Sequence, residues 1–190
     1  MSLVLDGNGT MTVGNGDITG LTAGALPSNV VGAGAVLQVV QTVKTDTFSS
    51  SSQSFTDITG MSVTITPTSS TSKIMIMYNM NTSIINGGYR FDTRLLRNGS
   101  AIAVGDLAGS RLQATTLAYS SSSNGNYPVY VQSMTFLDSP ATTSSLTYKL
   151  QGIGWISASG TFYVNMSAAE GSDSNNSRGI STITALEIAG

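Results

Sequence analysis

From Ala35 to the last residue, the sequence breaks into short stretches of β-branched and aromatic residues, each closed off by Gly, Pro, Asn or Ser. No stretch keeps an apolar period of 3.6 residues for three turns, so no helix would have a face to bury. Strands are expected instead, at Ala35–Lys44, Ser54–Ile58, Met61–Thr66, Lys73–Ile84, Tyr89–Arg97, Ala101–Val104, Leu112–Tyr119, Val129–Leu137, Leu146–Ile156, Thr161–Met166 and Ile180–Ile188. Asn98-Gly99 marks a two-residue hairpin, because both residues tolerate the positive φ of a type I′ turn. "TPTSSTSK" (66–73) and "SSSSNGNYP" (120–128) read as loops. In "YRFDTRLL", Tyr89, Phe91 and Leu95 share one face, and Arg90, Asp92 and Arg94 the other. "KIMIMYNMN" is apolar on both faces, which predicts a central strand or a subunit contact. Short antiparallel strands at this spacing predict an all-β, two-sheet, jelly-roll-like sandwich over 35–190.

Residues 1–34 differ. "GNGTMTVGNGDITGLTAG" (7–24) holds six glycines and a single charge, Asp17. The apolar side chains of this arm, Leu3, Leu5, Val13, Ile18, Leu21 and Leu26 among them, are too sparse to offset the entropy of ordering its backbone. It is therefore expected to be either a disordered leader or an extended arm ordered by neighbours, sister arms or another protein, with glycine permitting close backbone approach. The uncharged run from Ile18 to Val43 is long enough to cross a bilayer, but Pro27, Asn29 and its glycines break it, so no membrane insertion is expected. "MSLVLDGNG" lacks the basic residues of a secretory signal, and a soluble, non-secreted or passively released protein is expected.

Charge is scarce. Asp, Glu, Lys and Arg make up 9% of the chain, against about 25% in typical soluble domains, while 29 Ser and 24 Thr take their place. A surface wetted by hydroxyls is compatible with large subunit contacts, because little charge must be desolvated. The eight basic residues are scattered and the net charge is −2, which argues against nucleic-acid binding. The absence of His and Cys removes disulfides, most zinc sites and the commonest general base. A Ser–Lys pair would need Lys44, Lys73 or Lys149, yet Ser70 and Lys73 lie in a loop where their spacing does not converge.

Most of the acids fall at turns or strand ends, and Asp92 between Arg90 and Arg94 reads as a salt-bridged strand rather than a glycosidase carboxylate. The GxG phrases at 7–9 and 14–16 lack the strand–turn–helix context of a nucleotide site. Glu170, Asp173 and Asn175 are oxygen donors of the kind calcium prefers, but without EF-hand spacing they read as a solvated loop. No catalytic residue, metal or cofactor is expected. Tyr127, Tyr130 and Trp155 are aromatics able to stack on sugar rings, although at strand spacing they fit core or subunit contacts better. Ser122, Asn124, Asn126 and Asn176 are polar neighbours for a receptor, and the loops 120–128 and 170–178 are expected to form an exposed face.

The phrases "ITGLTAGALPSNVVGAGAVLQVVQ" (18–41), "LLRNGSAIAVGD" (95–106), "YKLQGIGWISASGTFYVN" (148–165) and "RGISTITALEIAG" (178–190) follow one another in a familiar order. In style and order the chain resembles the small trimeric knobs of tailed-bacteriophage appendages, which carry a tumour-necrosis-factor-like jelly roll behind a short glycine-rich leader. The resemblance implies a homotrimeric, non-enzymatic protein on the virion surface, assembled in the host cytoplasm and held to other virion proteins by its arm. A tail-fibre or spike tip would meet a host-surface glycan or protein. A capsid decoration (cement) protein would clamp shell subunits at three-fold positions, and a soluble trimeric lectin-like module stands further off.

Overall fold

The computed structural model describes residues 4–5, 11–12, 32–84, 89–120, 128–155, 161–169 and 176–190. Its contacts divide the chain into two units, 1–32 and 33–190. In the first, β1 (Val4–Leu5) pairs antiparallel with β2 (Met11–Thr12), Leu5 opposite Met11.

The second unit is a sandwich of two antiparallel sheets. Its strands are β3 (Val36–Lys44), β4 (Phe48–Ser50), β5 (Thr56–Ile65), β6 (Lys73–Ile84), β7 (Tyr89–Arg97), β8 (Ser100–Ile102), β9 (Thr116–Ser120), β10 (Tyr130–Asp138), β11 (Leu146–Trp155), β12 (Phe162–Val164) and β13 (Ser181–Ile188). β6 takes β10 along one edge; along the other it takes β13 and then β12, which pair in turn with β3 and β4. β11 lies between β5 and β7, and the far edge of β7 is shared by β8 and β9. Counting β3/β4, β8/β9 and β12/β13 as one position each, both sheets are four positions wide. Successive positions alternate between the sheets except at β7 and β8/β9, which are neighbours in one sheet, as in a jelly roll. The expected jelly roll is what the chain forms.

Alternation builds the core. Ile74, Ile76, Tyr78 and Met80 of β6 point inward with Ile183 and Ala185 of β13, against Ile58, Met61, Val63 and Ile65 of β5, Phe91 and Leu95 of β7, and Leu146, Tyr148 and Leu150 of β11. β6 is central in its sheet, as its two apolar faces predict. Close packing extends to β11, where Gly152 leaves no room for a side chain: a Cβ there would stand 2.8 Å from the Phe91 ring.

The strand boundaries depart from expectation in three places. The two stretches expected at 54–58 and 61–66 form one strand, β5, because Gly60 takes φ +82° and a bulge lets the pairing with β11 resume beyond it. The stretch from Leu112 becomes strand only at Thr116; before it, the Gly105 amide bonds to Ala114 O and the Leu95 amide to the Thr115 hydroxyl, which fixes a loop. Phe48–Ser50, inside a serine-rich stretch, is a strand because β12 offers it a paired edge. The Asn98-Gly99 turn has the expected positive φ at both residues, 47° and 86°.

Candidate functional site

The sandwich has two distinct ends. Ser50, Thr56, Ile84, Tyr89, Ser120, Tyr130, Trp155 and Phe162 are strand termini that the register places at one end. The connections 51–55, 85–88, 121–129 and 156–161 therefore all leave from there. At the opposite end the unit begins: the Gly34 amide bonds to Ala189 O and the Ala189 amide to Ala35 O, so both termini of this unit meet away from the tip.

Beneath the tip the core is polar. Gln132 of β10 is buried, its Oε1 accepting from the hydroxyls of Thr93 (3.0 Å) and Thr116 (2.6 Å), and Thr82 bonds back to Tyr130 O. Tyr78 joins through Thr116, and burial pushes its phenol up to about 12. The network ties β6 and β10 to β7 and β9 just below the tip connections. Satisfied buried groups of this kind rigidify a core.

The outer face of the β5–β11–β7–β9 sheet carries a charged lattice. Lys149 and Gln151 donate to Asp57, whose carboxyl is held below its usual range chiefly by the Lys149 bond. Arg94 donates to Gln151 Oε1 and lies 4.2 Å from the Phe55 ring centre. Arg90 Nε stands 2.8 Å from Asp92 Oδ2, without hydrogen-bond alignment. Asp92 alternates with its arginines as expected; it is fully buried, and that desolvation raises its pKa. Leu117 and Tyr119 stand exposed beside it on β9.

Inside, the remaining charges act as struts. Asp138 of β10 accepts from Arg97 and from the Tyr148 hydroxyl (2.7 Å), joining the two sheets, and burial drives the Tyr148 pKa sharply up. Burial alone would raise Glu187, but bonds from Gln38 and from the amide and hydroxyl of Thr68 more than offset it and lower its pKa. Lys44, buried at the β3–β4 corner, donates to Asp46. Asn165, at φ 63°, bridges the same corner to β13 through Lys44 O, Asp46 O and the Ser181 hydroxyl. Apart from Lys44 and Asp46, which are two residues apart, these nodes join partners distant in the chain that no motif links, so the sequence did not show them.

Among the described residues no group of three or more acids could hold a metal. The calcium-type candidates Glu170, Asp173 and Asn175 lie outside the described residues, as do Ser122, Asn124, Asn126 and Tyr127, and the arm positions Leu3, Val13, Ile18, Leu21 and Leu26. Of the arm contacts, Leu5 lies in β1. Tyr130 is half-buried as the first residue of β10, at the tip, and Asn176 accepts a bond from Ser167. The connection from 165 to 180 leaves its sheet between β12 and β13, part-way down β6, so its anchors are not those of the tip. Trp155 ends β11 opposite Arg90, its side chain lying outside the described residues.

No family model matches the sequence, and no curated protein does. Solved structures of the infectious bursal disease virus are similar: a mutant VP2 protein in T=1 particles and the Gx strain, each with 14% identity and a TM-score of 0.41. A VP2 subviral particle has 15% identity and a TM-score of 0.38. The matches cover 80% of this chain and 36% to 37% of those, so this chain spans little more than a third of their length. The jelly-roll assignment rests on the chain's own strand pairing.

Proposed function

We propose that the protein is a non-enzymatic structural component of the outside of a tailed-phage virion, a homotrimeric tail-fibre or spike tip that meets the host surface. The observation that carries this reading is the polarity of the sandwich. The strand ends that anchor four connections lie at one end, and the sandwich begins at Gly34 and Ala35 at the other. An arm that attaches and a tip that presents loops are the two parts an adhesin needs. The chemistry agrees: Asp46, Asp57, Asp92, Asp138 and Glu187 are each engaged by a neighbouring side chain in support of the fold, and Lys44 and Lys149 by Asp46 and Asp57. A glycan or protein would be met through the 120–128 loop, with Tyr127 and Tyr130 as stacking surfaces and Ser122, Asn124 and Asn126 as polar contacts.

A second reading, a capsid decoration protein clamping shell subunits at three-fold positions, draws on the low charge of the chain, 9% Asp, Glu, Lys and Arg, which suits contact with other proteins. Electron microscopy of the parent particle with a labelled antibody separates the two. Signal at the tail tip supports the adhesin, signal distributed over the head supports the cement role, and absence from purified particles overturns both. Binding to host polysaccharides on a glycan array supports the first; shell rupture under osmotic shock when the protein is omitted supports the second.

A further inference from the structure

The outer faces of the two sheets are chemically opposite. Outward from the β3–β13–β6–β10 sheet point Val39, Gln41 and Val43, then Thr182, Thr184 and Leu186, then Met75, Met77 and Asn79, then Ser133, Thr135 and Leu137. The register aligns them in rows: Val39–Leu186–Met75–Leu137, then Gln41–Thr184–Met77–Thr135, then Val43–Thr182–Asn79–Ser133. Lys73, at the start of β6, is the single charged side chain that these four strands turn outward. Val39 is 58% exposed, Val36 53%, Val43 48%, Leu137 44% and Met77 36%.

We infer that this face is the contact through which copies of the chain associate, and the inference deepens the assembly part of the reading above. Charge decides the occupant. A partner recognised by charge would meet only Lys73 here, at the border of the face, whereas neighbouring copies can bury its valine, methionine and hydroxyl side chains around a shared axis with almost no ion to desolvate. Burying the opposite face would instead desolvate Arg90, Arg94, Lys149 and Asp57, which stand there partly in water.

Size agrees. Four strands about 4.8 Å apart and nine residues long at about 3.3 Å give a field of roughly 19 by 30 Å, the scale on which an interface of about 800 Å² per partner is built. Within it Val36, Val39, Val43, Met77 and Leu137 gather exposed apolar surface of the kind that marks a protein contact.

Sedimentation velocity of the full chain over the micromolar range tests the inference. The wild type is expected to sediment as an oligomer and Val39→Asp/Met77→Asp as a single subunit with an unchanged far-UV spectrum. Leu117→Asp/Tyr119→Asp on the other face is expected to stay oligomeric. An oligomer that survives Val39→Asp/Met77→Asp overturns the face while leaving assembly, through the arms, intact. A wild type that is a single subunit throughout overturns the face and the homotrimer together. Should the double variant lose its strand spectrum, Val39→Lys at this exposed edge position gives the same readout. Failure to find the protein on particles leaves the result untouched.

Discussion

The two sheets of this sandwich share one core and one topology, yet they face outward with opposite chemistry. On the β5–β11–β7–β9 side, Asp57, Lys149, Gln151 and Arg94 form a lattice of ion pairs and amide bonds, with Arg90 and Asp92 beside it. On the β3–β13–β6–β10 side, valine, methionine, threonine and serine stand in neutral rows. Inward residues are chosen by the need to fill the space between the sheets, so both sheets look alike from within. Outward residues answer to whatever lies beyond. The difference teaches that the fold is specified by one half of each strand's alternation, and the surroundings of the protein by the other half.

The comparison breaks hardest where one strut serves both sheets. Asp138→Ala removes the carboxylate that Arg97 and Tyr148 share across the sandwich. It is expected to cost about 2–4 kcal/mol in urea unfolding, since a buried donor and a partly buried guanidinium lose their partner. A loss below about 1 kcal/mol would show that the sheets do not depend on it. Gly152→Ala follows: its Cβ would meet the Phe91 ring at 2.8 Å and the Phe162 ring at 3.1 Å, for an expected loss of about 1–3 kcal/mol.

Glu187 gives a pH signature. Its folded pKa lies below the ordinary 4.5, so its stabilisation is complete above that value and is lost as pH falls through the folded pKa. The wild type should therefore lose stability faster than Glu187→Gln as pH drops below about 4.5; parallel curves would remove the carboxylate from the account. Smallest of all, Lys149→Met should change stability by no more than about 1 kcal/mol, because its pair with Asp57 is half in water. A larger loss would mean that the charged lattice holds the fold rather than decorating it.

Much of the sandwich was legible in particular stretches. "KIMIMYNMN" gave away a central strand because both its faces are apolar, and Asn98-Gly99 gave its turn because few other pairs accept two positive φ angles. Gly60 misled, since a glycine that ends a strand and one that bulges it look the same along the chain. Phe48–Ser50 was hidden because a serine-rich strand gains its order from the neighbour β12 and not from its own propensity. The Gln132, Asp138, Asn165 and Glu187 nodes were illegible, as each depends on partners brought together only by tertiary pairing. The neutral outer face was half-readable: its methionines were plain in β6, but the rows that join them to β3 and β10 exist only once register is set.

The contrast between the faces meets its most direct test in thiol labelling, because the chain has no cysteine of its own. In the native full-length protein, Val39→Cys should react far more slowly than Tyr119→Cys, and the two rates should converge when the assembly is diluted to single subunits. Equal rates in the undiluted protein would contradict the account, for they would show that both faces meet water alike.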